Sequence, residues 1–251
     1  SQLRYISHYP DATNDDILNA IADIYGMNKN QIVVGNGAAE LLYAICRLPG
    51  YTGAFVPAPG FSEYKTALEA SRIPVRDIYY RPREDEHGKP YFEVPYLALE
   101  TFAAELKGQD GRIIVFLGNP NNPDGTLLDK NHIRTIASML KDANSLLVID
   151  ESFIDFVGND TLQDNEYSMR SLVNEFDNII VVHSFTKFYA VPGLRIGAAF
   201  SNPLIIEQLN SFIPTWSVNT LAQSYTEAAL NDVEYVKRTK QVLHEEQLFM
   251  H

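Results

Sequence analysis

Short apolar runs alternate with longer amphipathic stretches along most of the chain. Runs of five or six residues, bounded by polar or turn-forming residues, predict buried strands at 31–35, 53–57, 75–80, 112–117, 145–150, 179–183 and 195–200. Apolar residues at helical spacing predict helices between them at 38–48, 61–71, 96–107, 129–142 and 203–213. Because alternating strands and helices are joined by crossover connections, the pattern predicts an α/β fold: a mostly parallel, doubly wound sheet with helices on both faces.

Two stretches stand outside this alternation. Residues 81–90 are polar, with proline, glycine and mixed charges, and predict an exposed loop. Residues 217–250 are helical in pattern throughout and end at His251 without a capping or breaking residue.

Composition narrows the class of protein. The chain has 251 residues, is 45% hydrophobic, and can bury a sizeable core as one large or two small domains. A formal charge of −12 argues against general binding to nucleic acid or acidic membranes. Its one cysteine, Cys46, cannot form an internal disulfide, and no apolar stretch could span a bilayer, which favours a cytoplasmic protein. The six histidines lack metal-ligand spacing, and His183 is interpreted as a strand residue.

Lys187 follows an apolar strand and precedes a turn, so it can reach a cleft at the strand's carboxyl end. Ser184, Thr186 and Arg195 lie near it in sequence and offer hydroxyl groups and positive charge suited to a phosphate. A lysine beside a phosphate site suggests a Schiff base to pyridoxal phosphate. The alternative is a surface lysine that follows a strand by chance, because short motifs match often.

Two further segments could face the same cleft. The turn 35–40 (GNGAAE) leads from a strand into a helix, so its backbone N–H groups can face an anion, although it could equally be an ordinary glycine-rich turn. The run 119–125 (NPNNPDG) has two Asn-Pro pairs and a glycine that fix its shape and can direct an asparagine into the cleft; the alternative is a plain surface turn.

Asp150 ends the strand SLLVID, where a buried acid needs a partner to remain charged. Without such a partner it would be a helix cap or turn residue. Phe61, in the segment VPAPGFSEY, is either an aromatic platform for a ring or a core residue.

These five motifs occur in the chain order of the fold type I pyridoxal phosphate enzymes, the aminotransferase class I/II superfamily, and the chain resembles that family over nearly all of its length. The resemblance implies an enzyme with pyridoxal 5'-phosphate as cofactor, Lys187 and Asp150 as catalytic residues, and no metal. The implied cofactor ligands are Gly37, Ala38, Ala39, Phe61, Asn122, Asp150, Phe153, Ser184, Thr186, Lys187 and Arg195. In this set Asn122 contacts the phenolic oxygen, Asp150 the pyridinium nitrogen and Phe61 the ring.

The resemblance also implies a homodimer, in which Tyr9 contacts the coenzyme phosphate of the neighbouring subunit; the alternative is a packing tyrosine. Two positions depart from the family's pattern. Asp124 stands where relatives usually have threonine, and we expect its side chain to point away from the cofactor. Phe153 stands where most relatives have a tyrosine that contacts the phenolic oxygen, so either a hydrogen bond is missing or the ring fills a gap.

The resemblance predicts a division into three parts. Residues 1–30 would be the remnant of an N-terminal segment, 31–232 the large coenzyme-binding domain, and 233–251 the start of a helix leading to a small C-terminal domain that this chain lacks. No residue here can be assigned to the substrate carboxylate.

Within the superfamily, the segments 150–156, 184–197 and 214–223 resemble the L-threonine-O-3-phosphate decarboxylases, which make aminopropanol phosphate for cobalamin biosynthesis. The substrate would then be a small phosphorylated amino acid. The alternative is a histidinol-phosphate type aminotransferase. A second alternative, a non-catalytic fragment or binding module, does not need Lys187, Asp150, Asn122 and Arg195 together.

Overall fold

A computed structural model describes residues 6–106, 111–158, 162–163 and 165–250. Its main sheet has seven strands in the order β1-β9-β8-β7-β6-β2-β3. Six of them run parallel, and β9 pairs antiparallel with both β1 and β8. The mostly parallel α/β sheet predicted from the sequence is therefore confirmed. The strands are β1 Ile32–Gly35, β2 Tyr51–Ala58, β3 Val75–Tyr79, β4 Arg81–Glu84, β5 Pro90–Glu93, β6 Arg112–Gly118, β7 Leu146–Asp150, β8 Ile179–Ser184 and β9 Gly197–Phe200.

Helices cover both faces of this sheet, as predicted. They are α1 Asp15–Tyr25, α2 Gly37–Ile45, α3 Glu63–Ala70, α4 Tyr96–Glu105, α5 Lys130–Asp142, α6 Phe185–Phe188, α7 Pro203–Phe212, α8 Thr220–Leu230 and α9 Val233–Met250. Side chains alternate between the faces along each strand. In β7, Leu147 and Ile149 pack in the layer that includes α1, α4 and α5, while Leu146 and Val148 pack in the layer that includes α2, α3 and α7.

Helix α1 lies outside the helices predicted from the sequence, because its single apolar stripe is a weak pattern. Ile17, Ile21 and Tyr25 are spaced four residues apart and are all buried in the core. Gly26 ends the helix with φ +64°, the left-handed conformation that favours glycine.

The structure corrects two other predictions. The polar stretch predicted as a loop contains β4, which pairs antiparallel with β5; β4 is fully exposed, and the connecting turn is closed by the Asp85 carboxylate accepting from the backbone N–H of His87 and Lys89. The continuous helix predicted over 217–250 is two helices. The Asp232 side chain accepts from the Tyr235 backbone N–H and starts α9 as a new helix.

The parallel register aligns the ends of three strands. Gly118 of β6 lies opposite Asp150 of β7, and Asp150 lies opposite Val182 of β8. The segments that follow these strands therefore leave the same edge of the sheet side by side, where open α/β sheets bind their ligands.

Truncating Leu147 tests how much the packing around the central strand β7 stabilises the fold. We expect Leu147→Ala to lower the free energy of unfolding by about 2–5 kcal/mol, because Leu147 is fully buried in the central strand β7. Urea denaturation would measure the change. The matched control is Leu204→Ala, which removes the same atoms from a side chain that is 72% exposed and should cost less than about 0.5 kcal/mol. Equal small losses in both variants would contradict the strand's central position.

Candidate active site

The aligned strand ends border a small cavity of about 90 Å³. Five of the predicted cofactor ligands line it, Phe61, Asn122, Asp150, Phe153 and Lys187, contributed by the end of β7 and by segments that follow β2, β6, β7 and β8. The lining residues are Phe61, Tyr64, Pro120, Asn122, Asp150, Ser152, Phe153 and Lys187. The sheet topology thus brings together residues that are far apart in sequence.

Lys187 belongs to the short helix α6, which begins directly after β8. Its Nζ donates a hydrogen bond to Ser184 Oγ at 3.1 Å, and Ser184 Oγ lies 2.8 Å from Thr186 Oγ1. Partial burial lowers the pKa of Lys187; the negative charge of Asp150 opposes this effect and the positive charge of Arg195 adds to it. A lowered pKa increases the fraction of neutral amine, which is the nucleophilic form.

Asp150 is 6% exposed, and both of its carboxylate oxygens accept hydrogen bonds. Oδ2 accepts from the Tyr64 hydroxyl at 2.9 Å, and Oδ1 accepts from the Ser152 backbone N–H at 2.9 Å. Burial, followed by the Asp150 charge, raises the pKa of Tyr64 well above its usual value, so this hydroxyl remains a donor. The two donors fix the direction of an acid whose charge needs a partner in the cavity.

Sequence reasoning did not single out Tyr64. The available signal was its position three residues after Phe61, which puts both side chains near one face of the start of α3. The two rings meet edge to face with centroids 5.6 Å apart, and Phe61 is partly exposed at the cavity. Phe61 is therefore a cavity-lining ring rather than a core residue.

A second group of predicted residues forms a cradle around the start of α2. Gly37 has φ +82°, and a Cβ at this position would lie 2.5 Å from Arg195 Nη2. The guanidinium of Arg195 therefore lies against the turn that leads to Ala38 and Ala39. Backbone N–H groups in a first helical turn lack intrahelical acceptors, so this turn offers donors and positive charge to an anion.

Two residues that sequence reasoning did not assign support this cradle. The Glu40 carboxylate accepts from the Asn36 backbone N–H at 2.6 Å and so holds the turn closed. Gly197 of β9 lies so close that a Cβ there would be 2.6 Å from the Ala38 nitrogen. Gly197 therefore allows the start of α2 to approach the sheet.

Asn122 lines the cavity from the loop that follows β6. The neighbouring Asn121 fixes this loop by donating from Nδ2 to the Pro59 carbonyl oxygen at 3.0 Å. The Asp124 carboxylate accepts from Asn121 Nδ2 and from Thr126 Oγ1, and Asp124 does not line the cavity. This arrangement agrees with the expectation that the Asp124 side chain points away from the cofactor. The Asp124 carboxylate stabilises the loop.

Phe153 occupies the position beside the lysine. Lys187 Nζ lies 5.6 Å from the centroid of the Phe153 ring, within the range of a cation–π contact. The ring also lines the cavity, so it does more than fill a gap in the core.

Tyr9 lies outside the cavity of its own chain. It is 79% exposed, and its ring stacks on Trp216 with centroids 4.6 Å apart. Its contact with a neighbouring subunit remains a prediction.

The model of the family "Aminotransferase class I and II" matches residues 2–250, so the chain belongs to this family of enzymes and the predicted resemblance is confirmed. Membership implies pyridoxal 5'-phosphate as the cofactor, as predicted from the sequence.

Two relatives are similar to the chain over nearly all of its length. The chain is 34% identical over 242 residues to the adenosylcobalamin biosynthesis bifunctional protein CobDQ of Leptospira interrogans, covering 96% of this chain and 26% of that protein. It is 31% identical over 241 residues to a putative threonine-phosphate decarboxylase of Caldanaerobacter subterraneus, covering 96% of this chain and 61% of that protein. The chain therefore spans less than two thirds of the length of these relatives.

A solved structure confirms the fold. The histidinol-phosphate aminotransferase from Clostridium acetobutylicum superposes with a TM-score of 0.84 at 23% identity, covering 99% of this chain and 69% of that one. Within the part of the chain that the structure describes, none of the helices has the length and apolarity needed to cross a membrane.

If the cradle holds the coenzyme, one methyl group added at Gly197 should lower the affinity for it. Gly197→Ala places a Cβ against the backbone at Ala38, so we expect the affinity of the apoprotein for pyridoxal phosphate to fall about tenfold, which is roughly 1.4 kcal/mol. Fluorescence titration would measure it. Gly193→Ala is the control, because a Cβ at Gly193 meets nothing within 4 Å. Unchanged affinity in Gly197→Ala would show that the cradle does not hold the coenzyme.

The lowered pKa of Lys187 predicts that its amine becomes reactive at an unusually low pH for a lysine. In the apoprotein, we expect Lys187 to become reactive toward reductive methylation at a lower pH than Lys65, because a hydrogen bond to Asp77 raises the pKa of Lys65. Isotope-labelled methylation followed by mass spectrometry would give both profiles. The same midpoint for the two lysines would contradict the electrostatics of the cavity.

Proposed function

We propose that this chain is the coenzyme-binding large domain of a pyridoxal phosphate-dependent decarboxylase of L-threonine O-3-phosphate, which makes aminopropanol phosphate for cobalamin biosynthesis. The observation that carries the coenzyme assignment is the cavity in which Lys187, Asp150, Asn122 and Phe61 meet. The reaction is supported by the names of the two relatives described above, at 34% and 31% identity, and by Phe153 beside Lys187. A histidinol-phosphate aminotransferase of Psychrobacter arcticus, 32% identical, supports the alternative reaction given below.

The residues present fit pyridoxal phosphate in chemical type. An amine with a lowered pKa, an oriented carboxylate, an amide and an aromatic ring surround one cavity. Lys187 would hold the coenzyme covalently, Asp150 would face its pyridinium nitrogen, and Asn122 its phenolic oxygen. The cradle of Gly37, Ala38, Ala39 and Arg195, with the hydroxyls of Ser184 and Thr186, would hold its phosphate.

When bound, the coenzyme supplies an electron sink for the pair of electrons left at the substrate's α carbon. Asp150, held by two donors, provides the fixed negative charge that such a sink requires next to a protonated ring nitrogen. Lys187 Nζ, the amine that lines the cavity, can carry the proton that returns to the α carbon when carbon dioxide leaves. Phe153 presents no hydroxyl to this amine, which leaves Ser184 Oγ as its neighbouring hydrogen-bond partner.

A histidinol-phosphate type aminotransferase is the alternative, because a lysine in this position can also remove a proton from the α carbon. A non-catalytic fragment or binding module is disfavoured by the cavity itself. Such a module has no need of an ionisable lysine and an oriented carboxylate in the same cavity.

The proposal includes a homodimer, a cytoplasmic location and a division into an N-terminal segment over 1–30, a large domain over 31–232 and, from 233, the start of a helix that leads toward a small C-terminal domain. The exposed stack of Tyr9 on Trp216 is available to a second copy of the chain. Burial raises the pKa of the Cys46 thiol to about 12, which keeps it an unreactive thiol and suits a reducing compartment.

A product assay on the full-length gene product tests the reaction. We expect O-phospho-L-threonine, supplied together with 2-oxoglutarate, to yield aminopropanol phosphate by mass spectrometry while the oxoglutarate remains untouched. Lys187→Ala is the control and should form no product, because it lacks the amine that holds the coenzyme. Glutamate formation, or reaction only after histidinol phosphate is added, would move the protein to the aminotransferases. Product from Lys187→Ala at the wild-type rate would overturn the site assignment.

A further inference from the structure

A cluster of buried polar side chains lies outside the lining of the cavity. Its members are Tyr25, Glu151, Asp155, Arg170 and His183, and each is no more than 4% exposed. Burying charged groups is costly unless they are paired with one another. A cluster of this kind in the core is therefore expected to have a structural or functional role.

The contacts within the buried cluster centre on Asp155. Its Oδ2 accepts from the Tyr25 hydroxyl at 3.0 Å and from His183 Nε2 at 3.0 Å. The Arg170 guanidinium lies 4.2 Å from the centroid of the Tyr25 ring, and Arg170 Nη1 lies 3.6 Å from Glu151 Oε2. The cluster is thus one connected set of ionic and hydrogen-bonded contacts.

Three of its members lie close in sequence to cavity residues or to the hydroxyl that binds Lys187. Glu151 directly follows Asp150, and His183 directly precedes Ser184. Asp155 lies two residues beyond Phe153, in the 3-10 turn Ile154–Phe156. The bond from Asp155 to His183 therefore ties the turn after β7, which follows Asp150 and carries Phe153, to the end of β8, which leads to Lys187.

The surroundings of Asp155 favour its charged form. Burial alone would raise the pKa of Asp155, but His183, then Arg170 and the Tyr25 hydroxyl, together lower it below its usual value. The charged or titratable groups around it are His183, Arg170, Tyr25 and Tyr189. A charged acceptor makes stronger hydrogen bonds than a neutral one, so the tie between the two segments is stiff.

We propose that Asp155 is a positioning residue, which sets the location of Lys187 relative to Asp150 by holding the end of β8, through His183 and Tyr25, against the turn after β7. The inference rests on the proposed function of the cavity as the pyridoxal phosphate site. Asp155 touches no group that lines the cavity through its own carboxylate; it acts through its neighbours in the chain.

The test compares three variants of the full-length protein. Asp155→Asn keeps the size of the side chain but removes the charged acceptor. Tyr25→Phe removes one donor with no change of charge and keeps the ring under Arg170. Ser201→Ala is the matched control, because Ser201 is also fully buried and donates to the Ile179 carbonyl oxygen at 2.7 Å, at the opposite end of β8.

Three readouts separate positioning from simple stability: thermal unfolding of the apoprotein, its affinity for pyridoxal phosphate, and the pH titration of the bound coenzyme's absorbance. If Lys187 shifts away from Asp150, it loses the charge that raises its pKa, so the titration midpoint should fall by roughly half a pH unit in Asp155→Asn. Tyr25→Phe should shift it in the same direction by less. We expect kcat to fall about tenfold in Asp155→Asn with little change in KM.

Ser201→Ala should lower the unfolding temperature without moving the midpoint. If the Asp155 and Tyr25 variants behave like Ser201→Ala, the cluster is merely structural and the inference is wrong. Should Asp155→Asn fail to fold, an unmoved midpoint in Tyr25→Phe alone would overturn it. A wild-type protein that does not bind pyridoxal phosphate would overturn the proposed function itself, and the inference with it.

Discussion

The site depends on one constraint, the parallel register of β6, β7 and β8. Gly118 opposite Asp150, and Asp150 opposite Val182, bring three chain segments to the same edge of the sheet. A shift of one residue in β7 would turn Asp150 into the sheet's other face, since side chains alternate along a strand. Because Leu147 and Ile149 pack in one layer while Leu146 and Val148 pack in the other, the apolar packing on both faces holds this register.

At this edge of the sheet, charged groups must be shielded from bulk water and also held in a fixed orientation. Asp150 achieves this with two donors, Tyr64 and Ser152, which hold its oxygens in place before any cofactor binds. Glu151 and Asp155 are more deeply buried and are likewise held by side-chain partners, Arg170 and His183. Buried polar groups that hold one another are costly to move, so they make the strand ends rigid where a catalytic geometry has to be accurate.

The sequence predicted the seven strands of the main sheet and five of the residues that line the cavity, because apolar runs and turn-forming motifs are local signals. Contacts between distant side chains carry no such signal. Tyr64 and Asp150 are 86 positions apart, and Tyr25 and His183 are 158 apart. Gly197 likewise reads as an ordinary strand glycine until α2 is placed against it. Helix α1 and the β4–β5 hairpin were missed because one apolar stripe and one exposed polar pairing are weak patterns.

The pKa of Lys187 depends on a balance between burial and two neighbouring charges. Burial in the cavity lowers its pKa, Arg195 at the start of α2 acts in the same direction, and Asp150 opposes both. The two charges that act on the lysine therefore come from different parts of the site, the cradle that includes Arg195 and the carboxylate at the end of β7. A ligand that neutralises either charge shifts the balance: an anion in the cradle screens Arg195, and a cation at Asp150 removes its support. An anionic phosphate and a protonated ring nitrogen on one molecule would change both terms at once, so binding of such a ligand and the protonation of the lysine are coupled.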